Sequence, residues 1–114
     1  MQKLTFAVQV GDIIVAGTDG LLDNVFNTRA AKLVWDAKAR GATPGVAAQQ
    51  LATFASARAR DPVYLSPFAK QARRAGFRYQ GGKVDDITVV VAYVTAPGAP
   101  APRPQAGPLP PSKL

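Results

Sequence analysis

Seven of the ten prolines in this 114-residue chain fall between Ala96 and Leu114, and this limits how much of the sequence can fold. The same stretch holds almost no large apolar side chain, so it cannot offset the entropy cost of ordering its backbone. We therefore expect residues 96–114 to form a disordered tail rich in Pro and Ala. Residues 1–95 then form one small folded unit with a marginal core.

The composition excludes several kinds of site. The chain has no cysteine and no histidine, which removes disulfides, thiolate metal sites and the commonest general base. No apolar run is long enough to span a membrane, and Met1–Val10 lacks the form of a signal peptide. We expect a soluble, intracellular chain that contains no transit peptide and has no membrane partner.

The net charge of +7 raises the question of a nucleic-acid partner. Several cations instead precede Gly41 and Gly76, where they would complement the C-termini of predicted helices: Lys38, Arg40, Arg73 and Arg74. The sequence has no basic motif interleaved with aromatic residues. We interpret the charge as solvated basic helix faces and expect no nucleic-acid partner.

Three segments have the pattern of β-strands. Leu4–Val10 alternates apolar and polar residues, and a turn at Gly11-Asp12 separates it from the β-branched run Ile13–Ala16. These two segments are predicted to pair as a hairpin, with Ile13–Ala16 buried. A valine-rich strand over Ile87–Val94 ends the folded unit.

Three helices are predicted between the strands. The first has Asn27 as its N-cap, stops at Gly41 and places one apolar stripe on a single face: Ala30, Leu33, Val34 and Ala37. The second opens at Thr43-Pro44 and stops near Asp61-Pro62, with its own stripe: Ala47, Leu51, Phe54, Ala55 and Arg58. The third runs from Ser66-Pro67 to Gly76. We expect these helices to cover the sheet, with a regulatory flap as the alternative.

Two acidic segments are candidates for a metal site. Asp19 follows the strand Ile13–Ala16, and Gly20 allows a sharp turn there, so the pair is either a cation ligand on a rigid element or an ordinary Asp-Gly turn. Asp85 and Asp86 are adjacent and repel each other unless a cation compensates them. They indicate either a second ligand segment or a polar loop compensated by Lys83. The residues alone leave both questions open.

Together the two segments resemble a known family. Residues 11–24 (Gly-Asp-Ile-Ile-Val-Ala-Gly-Thr-Asp-Gly-Leu-Leu-Asp-Asn) and 85–91 (Asp-Asp-Ile-Thr-Val-Val-Val) are similar to the last two metal-binding motifs of type 2C (PPM-type) protein phosphatases, which are metal-dependent and act on phosphoserine and phosphothreonine. Residues 69–88, with Ala-Gly-Phe-Arg-Tyr before Gly-Gly-Lys, resemble the branch of plant and algal plastids and of mitochondria. The resemblance covers residues 6–94.

The resemblance implies an α+β fold, the C-terminal part of an α-β-β-α sandwich in which helices flank antiparallel sheets, incomplete in this chain. It implies that Asp19 and Asp85 bind metal, with Gly20 able to contribute its backbone. Asp86 then either supports a ligand residue or is itself an alternative ligand. The implied cofactors are two Mg²⁺ or Mn²⁺ ions. The residues that follow the Asp-Gly pair would tune the site without coordinating: Asp23 and Asn24.

The resemblance also implies hydrolysis of a phosphoprotein by a water that bridges two metals, in a monomeric enzyme of the chloroplast or mitochondrion. The family's N-terminal half supplies another Asp-Gly motif, a phosphate-binding arginine and a histidine acid. None of these precedes Asp19, so we expect no catalytic residue in the chain and no activity from it alone. The alternative is a small non-catalytic binding module that uses the basic helix faces and the proline-rich tail.

Overall fold

The computed structural model describes residues 8–98, which form a two-stranded sheet and four helices. In chain order these elements are β1 Ile13–Gly17, α1 Asp19–Leu22, α2 Asn27–Ala39, α3 Pro44–Ala59, α4 Pro67–Arg74 and β2 Val89–Tyr93. No helix within this described range is both long and apolar enough to cross a membrane.

The partner of β1 differs from the predicted one. β1 pairs antiparallel with β2, in a register that sets Ile13 opposite Tyr93 and Gly17 opposite Val89. The predicted strand Leu4–Val10 is wrong in its last residues, since Val8–Val10 form no strand, and its first four residues lie outside the described part of the chain. Alternation indicates that a segment is extended, but it does not identify a partner so far away in sequence.

The two strands are buried on one face only. Val91 is buried and Ile13 and Val15 are half-buried on the face that meets the helices, whereas Ile14 and Val90 on the other face are 37% and 60% exposed. The prediction of a fully buried strand over residues 13–16 was therefore wrong. A continuous β-branched run is expected between two covering layers, and the described residues supply one layer.

Two of the three predicted helix starts are confirmed. Thr43 accepts a hydrogen bond from the Val46 amide through its hydroxyl oxygen at 3.3 Å, and Ser66 accepts one from the Ala69 amide at 3.0 Å. Each cap is followed by proline at the first helical position. Asn27 was predicted one position too late, because the N-cap of α2 is Phe26, which makes no side-chain cap bond.

The predicted helix stops at Gly41 and Gly76 are also confirmed. Their φ angles are 86° and 92°, and each glycine amide donates to the carbonyl of the residue three positions earlier. The next residue, Ala42 or Phe77, donates to the carbonyl five positions earlier. Both ends are therefore Schellman motifs, which need the left-handed conformation that glycine adopts readily.

The core lies between the sheet and helices α2 and α3. Val34, Ala47, Leu51 and Ala55 are almost fully inaccessible to solvent and pack together with Val91 of β2. The predicted stripes on both helices face this core with one exception. Arg58 is half-buried, and the next residue, Ala59, is buried instead. The expectation that the three helices cover the sheet is confirmed for α2 and α3, whereas α4 contributes none of the described residues of this core.

Candidate functional site

The end of β1 is joined to the loop before β2 through one threonine. The Thr18 amide donates to the Thr88 carbonyl at 3.1 Å, and its hydroxyl donates to the Asp86 carbonyl at 3.0 Å. The same hydroxyl oxygen accepts from the Thr88 amide at 3.1 Å. Asp19 begins α1 directly after this threonine, so the two acidic segments of the sequence meet at one end of the sheet.

Gly20 permits a close approach between these segments. It is buried, and a Cβ built on it would overlap the carbonyl oxygen of Asp86 and lie 2.9 Å from a side-chain carbon of Ile87. The sequence indicated a glycine that allows a sharp turn. In the structure Gly20 lies in the short helix α1, and its lack of a side chain leaves room for the backbone of the second segment.

A buried asparagine links the same two segments. Asn24 is 0% exposed, and its Nδ2 donates to the carbonyls of Gly20 and Lys83 at 2.7 Å each. Its Oδ1 accepts from the Lys83 amide at 2.7 Å. Sequence reasoning missed this role, since no local pattern reveals that an asparagine satisfies a loop that comes 59 positions later.

Lys83 pairs with Asp23 and not with Asp85 or Asp86, which it was expected to compensate in the polar-loop alternative. Its Nζ lies 3.7 Å from Asp23 Oδ2 and 4.5 Å from the centre of the Phe68 ring. In the described part of the chain no ion pair involves Asp85 or Asp86. The acidic pair is therefore not compensated by Lys83, contrary to the polar-loop interpretation.

The three candidate ligands are accessible to solvent. Asp19, Asp85 and Asp86 are all exposed, and the Asp86 amide donates to Asp85 Oδ1 at 2.8 Å. Asp85 and Asp86 line an open cleft of about 420 Å³ together with Arg60 and the polar face of α3. Carboxylates that are open to solvent and lack a salt-bridge partner are available to a hard divalent cation.

The described residues do not complete a metal site. They contain no group of three or more acidic side chains placed to hold one ion. The chemistry of Asp19 and Asp85 fits Mg²⁺ or Mn²⁺, which take oxygen ligands and retain several waters. A site with three or more acidic ligands would need residues from outside the described range 8–98.

Known proteins with similar sequences are plant phosphatases. The chain is 50% identical over 95 residues to probable protein phosphatase 2C 55 of Arabidopsis thaliana, which covers 83% of this chain and 20% of that protein. It is also 50% identical over 95 residues to probable protein phosphatase 2C 80 of the same plant, covering 83% and 23%. No protein-family model matches the sequence.

A solved structure has a similar fold. The X-ray structure of the photosystem II phosphatase PBCP superposes with a TM-score of 0.70 at 34% sequence identity, over 81% of this chain and 39% of that one. The α+β fold predicted from the sequence, with part of the domain present, is thereby confirmed. The chain spans about a fifth of the length of the two Arabidopsis relatives.

Proposed function

We propose that this chain, a homologue of type 2C protein phosphatases over 83% of its length, provides one part of a metal-dependent site for hydrolysis of phosphoserine and phosphothreonine. The observation that carries the proposal is the meeting of Asp19 and the Asp85 segment at one end of the sheet, held by Thr18 and Asn24. Identity of 50% to two probable phosphatases supports it.

In this proposal each residue of the site has a separate task. Asp19 and Asp85 hold the cation, and Asp86 supports Asp85 through the bond from its amide. Gly20 and Asn24 keep the two segments in fixed register, so that the carboxylates are already positioned when the cation binds. Bound divalent cations supply an activated water and neutralise charge on the phosphoryl group.

The proposed substrate is a phosphoprotein, and the proposed compartment is a chloroplast or mitochondrion. The similarity to a photosystem II phosphatase, at 34% identity, supports the chloroplast. A fluorescent fusion to the complete gene product tests the compartment. Signal confined to the cytosol would contradict it.

We further propose that the chain alone is inactive, because its described residues contain no group of three or more acidic side chains placed to hold one ion. The measurement is Mn²⁺-dependent hydrolysis of an aryl phosphate by the purified chain, beside an Asp19→Ala variant. The expected result is no metal-dependent hydrolysis by either protein. Hydrolysis that requires Mn²⁺ and disappears in Asp19→Ala would overturn the proposed inactivity and support the site.

A chimera tests the site itself. The 95 matching residues of the Arabidopsis relative, phosphatase 2C 55, are replaced by those of this chain, and Mn²⁺-dependent hydrolysis of a phosphopeptide is measured. We expect an active chimera in which Asp19→Asn and Asp85→Asn each reduce kcat/KM by about 100-fold or more, since each removes a cation ligand.

The control for the chimera is Asp36→Asn, which removes an exposed carboxylate that pairs with Lys32 on α2, away from the acidic segments. We expect this variant to keep the activity of the chimera. Equal activity of all three variants would contradict the metal-ligand role. An inactive chimera that is folded would instead favour a non-catalytic binding module.

A further inference from the structure

The segment from Pro62 to Val84 is strongly basic. It contains no acidic residue and five cations: Lys70, Arg73, Arg74, Arg78 and Lys83. In the described part of the chain only Lys83 among these has an ion-pair partner, and Arg74 and Arg78 are exposed. This concentration of charge is not explained by the metal site, which is acidic.

An open cleft of about 460 Å³ lies within this segment, and we call it the Phe77 cleft. It is lined by Arg73, Gly76, Phe77, Arg78, Tyr79 and Gln80. The Arg73 Nε donates to the Tyr79 carbonyl at 3.2 Å, which holds one guanidinium at its wall. The Tyr79 ring packs edge-on against Phe68 with 4.9 Å between ring centres, so this lining residue is anchored as well.

Phe77 is held in place yet remains open to solvent. It is the residue after the glycine in the Schellman motif of α4, a position whose apolar side chain commonly packs back on the helix. The equivalent residue of α2, Ala42, is 9% exposed, whereas Phe77 is 69% exposed. An exposed aromatic ring on a fixed backbone, in a cleft that two arginines also line, is typical of an interaction surface.

The cleft is connected to the candidate metal site by short hydrogen bonds. The Tyr79 hydroxyl donates to the Gly82 carbonyl at 2.7 Å, and the next residue, Lys83, is bound on both its amide and its carbonyl by Asn24. Asn24 in turn binds Gly20 beside Asp19. A ligand in the cleft would therefore lie on the same rigid loop that leads to Asp85.

We propose that the Phe77 cleft is a docking surface for an acidic protein segment that carries an apolar side chain. Arginine guanidinium groups bind carboxylates in a paired geometry, and Phe77 offers an apolar contact in the same cleft. A nucleic acid fits less well, because Phe77 is the one strongly exposed aromatic ring of this segment in the described residues and stacking surfaces usually offer several. That the docked segment belongs to the phosphoprotein substrate rests on the proposed function.

Binding is tested with the full chain and a short fluorescein-labelled peptide in which glutamates flank one leucine. We expect saturable binding by fluorescence anisotropy that weakens as salt is added, and no binding of the same peptide with glutamine in place of glutamate. Arg73→Gln combined with Arg78→Gln removes the two arginines that line the cleft and should weaken binding about tenfold, as expected for two exposed charge pairs. Phe77→Ala should weaken it further.

Matched controls lie on helix α2 and at its C-cap, Arg40. Lys32→Gln combined with Arg40→Gln removes the same charge from exposed positions, and Trp35→Ala removes an aromatic ring that is 61% exposed. These variants should bind the peptide as the parent chain does. Equal weakening by the controls, or tighter binding of a single-stranded oligonucleotide than of the peptide, would overturn the proposal.

The link to substrate is tested separately in the chimera. The paired Arg73 and Arg78 substitutions should raise KM about tenfold for a phosphopeptide with flanking glutamates, relative to one with flanking glutamines. An equal effect on both peptides would refute substrate docking. Because peptide binding to the chain requires neither metal nor phosphate, a failed metal site and a failed docking surface give different results.

Discussion

Three residues, Thr18, Gly20 and Asn24, determine how the acidic segments meet. The Thr18 hydroxyl both donates to and accepts from the loop before β2, Gly20 leaves room for the Asp86 carbonyl, and the Asn24 amide bridges to Lys83. A buried amide that makes three bonds of 2.7 Å is costly to replace, because each lost partner leaves a polar group unsatisfied.

Gly20→Ala tests the close approach. The added Cβ would overlap the Asp86 carbonyl, so the two segments must separate, and we expect the free energy of unfolding to fall by at least about 2 kcal/mol. Urea denaturation measures the change. The control is Gly45→Ala in α3, where a Cβ meets nothing within 4 Å and the helix should gain up to about 1 kcal/mol. Equal effects of the two substitutions would contradict the packing role.

The Tyr93 hydroxyl makes the free energy of unfolding decrease at alkaline pH. Burial raises the pKa of Tyr93 above its ordinary value of 10.0, and its hydroxyl donates to the Ala42 carbonyl at 2.8 Å. Because the folded pKa exceeds the unfolded one, this contribution is complete below pH 10.0 and is lost as pH rises through the folded value. Burial also raises the pKa of Tyr64, against the opposing effect of Arg58.

Tyr93→Phe isolates that contribution. At neutral pH the variant should be less stable by about 1 kcal/mol, because the hydrogen bond to Ala42 is lost. As pH rises through 10.0, the parent chain should lose stability faster than the variant, and the difference between them should shrink. Urea denaturation at a series of pH values measures both. If the difference in free energy of unfolding between the parent chain and Tyr93→Phe stays constant across this range, the pH dependence does not come from the Tyr93 hydroxyl.

At the scale of elements, helix boundaries followed from local chemistry. Thr43 and Ser66 were predicted as helix starts from a capping residue before proline, and Gly41 and Gly76 as stops, and all four are confirmed. These signals act within one helical turn, so neighbouring residues suffice to identify them. Asn27 was placed wrongly because the α2 N-cap uses no side-chain bond.

The two capping residues differ in a way that the sequence does not reveal. The Ser66 hydroxyl also donates to the Gly81 carbonyl at 2.7 Å and is fully buried, whereas within residues 8–98 the Thr43 hydroxyl makes the capping bond from Val46 alone. We expect Ser66→Ala to lower the free energy of unfolding by about 2–3 kcal/mol and Thr43→Ala by about 1 kcal/mol. Thermal and urea denaturation measure both, and equal losses would show that the bond to Gly81 contributes nothing.

At the scale of the whole molecule, residues 8–98 cover one face of the sheet and leave the other face open. Val91 packs in the core beside the helices, while the neighbouring Val90 is 60% exposed on the other side. Both strands of a two-stranded sheet are also edge strands. An apolar sheet face with free edges favours association with other chains unless another layer covers it.

Two adjacent substitutions test this asymmetry. Val90→Lys should reduce self-association of the isolated chain at high concentration, with a change of less than about 0.5 kcal/mol in its free energy of unfolding. Val91→Lys should destabilise the fold by about 3 kcal/mol or more, because it buries a charge in the core. Light scattering and urea denaturation measure these effects, and an equally destabilising Val90→Lys would mean that both faces are covered.

Local patterns along the chain specify where helices α3 and α4 begin, where α2 and α4 end and which helix faces are apolar, because these depend on residues a few positions apart. Long-range packing specifies which strand pairs with β1, which residues hold Asp19 beside the Asp85 segment, and which partner Lys83 takes. Those contacts join residues more than fifty positions apart. These contacts form only when the helices between the two segments pack, and the spacing of neighbouring residues does not predict that packing.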